Sequence, residues 1–170
     1  MRNFSANFIL AIAFIIIPHS LKAQEYSVKG RVLSDLYTTH RSGVWFYNIN
    51  GAYGLTRRFD LGIGMGVYSG KYYKGYWHYF NGCQIHFDMR YYFTPLLFKK
   101  TTNIDLYLKG SAGYLWSISN DTHRERQIYT GYLGFRYFPF KRIGVMAEAG
   151  MDILEPEFLF GFGLSFKLKL

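Results

Sequence analysis

The sequence predicts an all-β protein, an eight-stranded antiparallel up-and-down transmembrane β-barrel, and three observations support this prediction. Apolar and polar side chains alternate along most of the chain, as they do in strands with one apolar face. Aromatic residues make up 21% of the sequence and glycines number 18, a composition that favours pleated sheet over helix. The N-terminal residues have the layout of an export signal.

The clearest predicted strand is the last one. Over residues 158–170, every second position carries a large apolar side chain, and most of the positions between them are glycine, serine or lysine. A period of two over this length is typical of a strand. When tilted, such a strand is long enough to cross a bilayer.

The same alternation predicts seven further strands. They cover residues 26–37, 43–56, 60–69, 79–93, 103–118, 127–138 and 142–154. With the N-terminus on the periplasmic side, the tight basic turns at 57–59 and 139–142 are periplasmic, as is a longer connection at 94–102. The extracellular loops centre on residues 39–42, 70–78, 119–126 and 155–156.

Residues 1–23 predict a cleaved secretory signal peptide. Arg2 supplies the positive start, residues 8–17 form an unbroken apolar run, and a polar stretch ends at Ala23. An apolar helix of that length rises only about 15 Å, roughly half of a bilayer core, so it is too short for a permanent span. We therefore expect cleavage between Ala23 and Gln24, with the barrel domain over residues 24–170.

Charged residues indicate which face of the strands meets lipid. A secreted lipocalin-like binding barrel also alternates, but its apolar face points inward. Here both charge signs lie deep within strands on the polar face, where they can pair inside a narrow lumen. This predicted lumenal charge network consists of Asp88, Arg90, Asp105, Lys109, Arg136, Glu148 and Asp152. Tyrosines and tryptophans near strand ends on the apolar face are typical of membrane-barrel girdles, so the membrane barrel is preferred and the lipocalin-like barrel is the alternative.

Many glycines share the polar face with these charges. We expect them to make space in a tight interior for long Arg and Lys side chains.

The mature chain resembles the small OmpA/OmpX-type eight-stranded outer-membrane barrels over nearly its whole length. Its terminal run, with Leu164, Phe166, Leu168 and Leu170 in alternation, is similar to the last strand of those proteins, which commonly ends in an aromatic residue. The likeness is architectural and involves no diagnostic motif. It implies the outer membrane of a Gram-negative bacterium, a monomer in contact with lipid and lipopolysaccharide, and insertion by the barrel-assembly machinery.

The basic composition does not indicate nucleic-acid binding. Lys and Arg number 20 against 11 Asp and Glu, a formal charge of +9, but no basic run exceeds two residues. Cys83 is the single cysteine, so no internal disulfide forms, and on the apolar face it is expected to act as a small hydrophobe. His78, His86 and His123 are scattered without carboxylates at ligand spacing, so neither a metal nor another cofactor is expected. His86 fits the lumenal polar face.

Eight strands enclose only enough space for side chains to fill, so an open diffusion pore is not expected. The leading hypothesis is a non-enzymatic integral outer-membrane protein that contributes to envelope integrity or surface interaction. Lys71 and Lys74, in a basic and aromatic stretch, are the candidate contacts to lipopolysaccharide phosphates. An ordinary aromatic girdle with solvated lysines explains the same stretch equally well.

An outer-membrane lipid A-modifying acyl hydrolase is the enzymatic alternative. Its chemistry needs a serine activated by a histidine and an acid. His40 and Ser42 are close in sequence, and a second group is formed by Ser119, Asp121, His123 and Glu125. Both groups lie in predicted polar loops, where such residues are common without catalysis, so no catalytic residue is assigned.

Overall fold

Eight strands and one short helix make up the described part of the chain in the computed structural model. They are β1 (Val32–Arg41), β2 (Val44–Gly54), β3 (Phe59–Lys74), β4 (Tyr76–Tyr92), α1 (Thr94–Leu97), β5 (Ile104–Ser117), β6 (Arg126–Tyr137), β7 (Ile143–Asp152) and β8 (Phe158–Leu168). The strands form one closed antiparallel barrel in sequence order, with β1 also paired to β8. The predicted fold class is confirmed.

The structure describes residues 29–74, 76–97, 103–118, 125–140 and 142–168, with the main chain alone for residues 72–74, 76–80 and 95–96. The predicted signal peptide, with its cleavage site between Ala23 and Gln24, lies outside these residues, as does Leu170. Within the described ranges, no helix has the length and apolar character needed to span a membrane.

The barrel has two different ends. The first residues before β1, the last residues of β8 and the connections after β2, β4 and β6 share one end, which we call the terminal end. The connections after β1, β3, β5 and β7 share the other, which we call the loop end. The seam between β1 and β8 runs from Val32 opposite Leu168 at the terminal end to His40 opposite Phe160 near the loop end.

The first strand and its loop differ from the sequence prediction. The strand starts later than predicted, at Val32, and continues to Arg41, so the predicted loop at 39–42 is wrong. The actual turn is only Ser42 and Gly43, with φ of 42° and 80°, the two left-handed residues that a tight hairpin turn requires. Thr39 and Arg41 are polar residues of the kind found in loops, but here they are strand residues whose side chains point into the lumen.

The predicted loop at 70–78 is also wrong, because β3 and β4 continue through it. Main-chain pairing extends from Gly70 opposite Phe80 to Lys74 opposite Tyr76. The neighbouring strands stop earlier: β2 pairs no further than Gly70, and β5 pairs with β4 only from Gly82. The β3–β4 hairpin therefore projects beyond the described pairings of its two neighbouring strands, β2 and β5.

The outer surface of the barrel is apolar and its interior is polar. Large apolar side chains that are exposed on the outer face of the strands include Leu36, Tyr47, Ile49, Leu61, Ile63, Met65, Val67, Phe87, Met89, Leu108, Leu133, Val145, Met151, Phe160, Phe162 and Leu164. Most buried residues that are polar or charged alternate with them along the same strands. This arrangement is the reverse of the lipocalin-like alternative, in which the apolar face points inward.

Cys83 lies on the outer face between Val67 of β3 and Trp116 of β5. In a membrane, we expect a charged maleimide to leave it unlabelled until the protein is unfolded, because hydrocarbon excludes the charged reagent. Labelling of the protein in intact vesicles, followed over time by mass spectrometry, measures this. As a control, Ser42→Cys in a Cys83→Ser background places a thiol in the exposed loop-end turn, where labelling should be rapid. Equal rates for the two positions would show that this face of β4 is in water.

Candidate functional site in the barrel lumen

An ion network fills the middle of the lumen. Asp35 of β1 accepts hydrogen bonds from Arg90 of β4 at 2.9 Å and from Arg136 of β6 at 2.7 Å. The hydroxyl of Ser165 in β8 donates to the second oxygen of Asp35 at 2.7 Å and accepts from Arg136 at 3.0 Å. All four side chains are fully buried. Four strands distributed around the barrel are therefore tied together through a single carboxylate.

Two further carboxylates surround this centre. Asp60 of β3 accepts a hydrogen bond from Tyr92 at 2.6 Å, and Tyr92 in turn accepts one from Arg136 at 2.8 Å. Asp88 of β4 accepts from Ser111 at 2.6 Å, is also bonded to Asn50, and lies 3.4 Å from the Arg90 guanidinium. Opposite charges surround these buried groups, as such groups require, and most of them are hydrogen-bonded. Among the described residues, Nε and Nη1 of Arg90 and Oδ1 of Asp60 have no hydrogen-bond partner.

A separate ion pair lies closer to the loop end. Lys109 of β5 bonds to Glu148 of β7, and the second oxygen of Glu148 accepts from Tyr107 at 2.8 Å. The ammonium of Lys109 also lies 4.2 Å from the centre of the Tyr132 ring and 5.0 Å from that of Tyr37. Cation–π contacts of this kind stabilise a desolvated ammonium.

The terminal end of the lumen is closed mainly by apolar side chains. Leu33, Ala52, Tyr92, Tyr107 and Phe138 form one buried cluster there. Charged groups border this cluster: Arg31 pairs with Asp105 at 3.0 Å, and the Lys167 ammonium lies 3.4 Å from the centre of the Phe138 ring.

Glycines on the lumenal face leave space for the rings of tyrosine, phenylalanine and histidine side chains. On the sequence alone, they are expected to leave space for Arg and Lys side chains instead. A Cβ at Gly134 would overlap the ring of Tyr107, and a Cβ at Gly64 would overlap that of His86. His86 itself is buried and lies 3.3 Å from the hydroxyl of Tyr37. The alternation places glycines on the lumenal face, but the strand register decides which side chain leans over each of them.

A small cavity of about 40 Å³ lies in the loop-end half of the lumen. Tyr37, Thr39, Arg41, Asn48, Gln84, His86, Ser111, Thr130 and Tyr132 line it with polar groups, and Phe46, Leu115, Ile128 and Leu159 line it with apolar ones. A space of this size holds about three water molecules at roughly 10–15 Å³ each. The cavity is therefore too small for an organic ligand.

Five charged residues form a cluster at the loop end, which we call the loop-end clamp: Arg41, Arg126, Asp152, Glu155 and Glu157. Arg41 bonds to Asp152 at 2.5 Å, to Glu157 at 2.5 Å and to Glu155 at 3.1 Å. Arg126 bonds to Asp152 at 2.6 Å and also to Glu155. The clamp holds the ends of β1 and β6 against the β7–β8 loop.

Glu157 belongs to that loop, outside the strands that span the barrel. The hydrogen bond from Arg41 lowers the pKa of the Glu157 carboxyl from its ordinary value of 4.5, and the positive charge of Arg41 acts in the same direction. Because the folded-state pKa is lowered, this interaction stabilises the clamp at and above pH 4.5 and is lost as the pH falls through the lowered pKa.

Replacing Arg41 with Gln is therefore expected to return the pKa of Glu157 toward its ordinary value. A carboxyl ¹³C titration of the folded barrel in detergent micelles measures that pKa directly. Arg126→Gln serves as the control, because Arg126 bonds to Asp152 and Glu155 instead, and it should shift the pKa of Glu157 less. If Arg41→Gln leaves the pKa unchanged, Arg41 is not the residue that holds Glu157.

The structure divides the seven residues of the predicted lumenal charge network among several groups. Asp88, Arg90 and Arg136 lie in the central network, while Lys109 and Glu148 form their own pair. Asp105 lies at the terminal end and Asp152 in the loop-end clamp. All seven are buried. Sequence reasoning missed Asp35, which lies in the first predicted strand and bridges Arg90 and Arg136.

Within the ranges that the structure describes, the other candidate residues are not brought into a catalytic arrangement. His40 lies on the outer face with its ring centre 4.7 Å from that of Trp45, and Ser42 lies in the turn. Glu125 accepts a hydrogen bond from Tyr114 at 2.8 Å. Ser119, Asp121 and His123 are outside the described residues, as are the side chains of Lys74 and His78, whereas Lys71 is exposed. Among the described residues, no group of three or more His, Cys, Asp or Glu side chains is placed to hold a metal ion.

Comparison with known proteins identifies the fold but no sequence family. No family model matches the sequence, and no curated protein matches it. The structure is similar to the N-terminal β-barrel domain of Pseudomonas aeruginosa OprF, with a TM-score of 0.60 and 16% identity over 82% of this chain and 98% of that one. It is also similar to Neisserial surface protein A (TM-score 0.57, 13% identity, 81% and 96% covered) and to the outer membrane protein OprG from P. aeruginosa (TM-score 0.54, 8% identity, 88% and 100% covered). The fold is that of the small eight-stranded outer-membrane barrels.

Proposed function

We propose that the protein is a non-enzymatic integral protein of the Gram-negative outer membrane, with a side-chain-filled lumen, that contributes to envelope integrity or surface interaction. The observation that carries this proposal is the division between an exposed apolar exterior and an interior of buried, paired charges. In water, an apolar surface that surrounds a whole barrel would cause aggregation, whereas in a bilayer it is solvated by lipid.

The filled lumen supports a role that does not depend on transport. The central ion network and the apolar cluster at the terminal end occupy successive levels of the interior. The cavity beyond them holds only a few water molecules. Solute diffusion through the barrel would require the Asp35, Arg90 and Arg136 side chains to move out of a fully buried arrangement.

The projecting β3–β4 hairpin supports a contact with lipopolysaccharide. It carries Lys71 and Lys74 beyond the last pairing of β2 with β3. Ammonium groups at that height can form charge-assisted hydrogen bonds with the phosphates of lipopolysaccharide. We further propose that the protein is a monomer and that the barrel-assembly machinery inserts it through β8, in which apolar and polar side chains alternate.

A deletion strain tests the proposed role. Without this protein, we expect more of a hydrophobic dye to enter the cells. Expression of the wild type, or of Lys71→Arg/Lys74→Arg, which keeps both charges, should return dye entry to the normal level. Expression of Lys71→Gln/Lys74→Gln should lower dye entry only partly. Normal dye entry with Lys71→Gln/Lys74→Gln would mean that the two lysines do not make the proposed lipopolysaccharide contact. Unchanged dye entry on deletion would count against a role in envelope integrity.

The same strains test the enzymatic alternative. If the protein is not an acyl hydrolase, the mass spectrum of lipid A should show the same acyl chains with and without it. A change in acylation that follows the protein would contradict the non-enzymatic proposal. His40→Ala and Ser42→Ala variants would then show whether those residues are responsible.

A further inference from the structure

Exposed basic residues lie on the rim of the terminal end, outside both the lumenal ion network and the loop-end clamp. Arg57 lies in the β2–β3 turn and Arg142 in the β6–β7 connection, so the two lie on opposite sides of the barrel. Both residues are exposed, and together we call them the basic rim.

No described carboxylate neutralises this rim from the surface. The two acids nearest to it, Asp60 and Asp105, point into the lumen and are at most 1% exposed. Asp105 is paired with Arg31 at 3.0 Å, and Asp60 accepts a hydrogen bond from Tyr92. In the described part of the chain, the acids that reach solvent lie at the loop end, and they are Glu125, Glu155 and Glu157. Among the described residues, the acids that reach solvent therefore lie at the loop end, and the terminal end exposes basic side chains.

The cations of the basic rim lie next to exposed apolar residues in the sequence. Arg142 is flanked by Phe140, which is 69% exposed, and by Ile143, which is 46% exposed. Arg57 lies between Leu55 and Phe59, which are 49% and 37% exposed. In a bilayer, a guanidinium at such a boundary keeps its aliphatic stem along the acyl chains and its charged head among the lipid headgroups.

We propose that the basic rim binds the phosphates of anionic glycerophospholipids in the leaflet that surrounds the terminal end. This inference rests on the proposed function, which places the barrel in a membrane. Guanidinium groups form two parallel hydrogen bonds with phosphate, and basic residues at a membrane surface attract anionic lipid. Arg57 and Arg142, on opposite sides of the barrel, provide two such positions. Lys71 and Lys74 lie at the other end, so the two sets of cations face different leaflets.

Lipid selectivity of the folded barrel tests this inference. The protein is folded into phosphatidylcholine vesicles that contain spin-labelled phosphatidylglycerol or spin-labelled phosphatidylcholine, and the motionally restricted fraction of each label is measured by electron paramagnetic resonance. We expect the wild type to prefer phosphatidylglycerol roughly two- to threefold, because a few favourable positions are averaged over the whole lipid shell. The preference should fall toward one in 1 M salt, where the screening length is only about 3 Å.

The decisive variant is Arg57→Gln/Arg142→Gln, which should lose most of the preference, while Arg57→Lys/Arg142→Lys should keep most of it. The matched control is Asn81→Asp/Gln127→Glu, which lowers the net charge by the same amount at exposed positions of the loop end and should keep the wild-type preference. The inference is overturned if the wild type shows no preference for phosphatidylglycerol, if Arg57→Gln/Arg142→Gln keeps the wild-type preference, or if the control loses as much of it as the Gln variant. Failure of the wild type to fold into any vesicle, judged by gel mobility before and after boiling, would instead overturn the proposed function.

Discussion

Asp35→Leu is expected to lower the free energy of unfolding by about 3–5 kcal/mol, the usual result of leaving buried charges without their partner. Asp35 accepts hydrogen bonds from Arg90 and Arg136, and all three side chains are fully buried. Removing the carboxylate leaves two guanidinium groups close together in a lumen with little water. Urea unfolding of the barrel from lipid vesicles measures the loss.

A double variant separates the lost pairing from lost packing. Asp35→Leu/Arg136→Met removes one charge of each sign, and Arg90 keeps Asp88 at 3.4 Å. We expect it to be clearly more stable than Asp35→Leu alone, because replacing both partners of a buried pair by apolar groups is often close to neutral. A loss below about 1 kcal/mol for Asp35→Leu would mean that water fills the lumen where the structure places the network.

Leu164→Arg is expected to lower the free energy of unfolding from lipid by about 2–4 kcal/mol, the range for a charge at the bilayer midplane on the outer face of a barrel. Leu164 is exposed on the outer face in the middle of β8, opposite Leu36 of β1 and Val145 of β7. Urea unfolding from vesicles measures this loss as well.

Leu168→Arg is the control for depth, because Leu168 is on the same face of the same strand but at its end. There the arginine can reach the interface, and the loss should be only about 0–1 kcal/mol. Equal losses at the two positions would mean that β8 does not cross the bilayer with Leu164 near the midplane.

The period of two predicted the strand faces well, because it depends only on the order of residues along one strand. The alternation around Leu164 predicts that this residue points outward, and the burial of side chains in β8 alternates from Phe158 to Ser165. The same argument separated the seven lumenal charges from the apolar face. The predicted ends of several strands were wrong. Polar residues such as Thr39 and Arg41 are common in turns, but a filled lumen also accepts them within a strand.

Side-chain partners were beyond prediction, because they depend on the register between strands that are far apart in sequence. Asp35 meets Arg136 across 101 positions and Ser165 across 130. On alternation alone, Ser165→Asn would be a mild polar exchange that costs less than about 1 kcal/mol. The structure instead shows Ser165 fully buried, with its hydroxyl donating to Asp35 and accepting from Arg136, so a larger amide has no space there. We therefore expect Ser165→Asn to lower the free energy of unfolding by more than about 1 kcal/mol.

Spin-label accessibility along β8 tests the central claim most directly, namely that the apolar face of a closed barrel contacts lipid. Single cysteines at positions 160, 162 and 164, and in the exposed turn at position 42, are introduced in a Cys83→Ser background and labelled, and the protein is folded into vesicles. We expect labels at 160, 162 and 164 to collide readily with dissolved oxygen, which concentrates in hydrocarbon, and rarely with a water-soluble nickel complex, while the label at 42 shows the reverse. Labels at 160, 162 and 164 that collide mainly with the nickel complex would contradict the central claim.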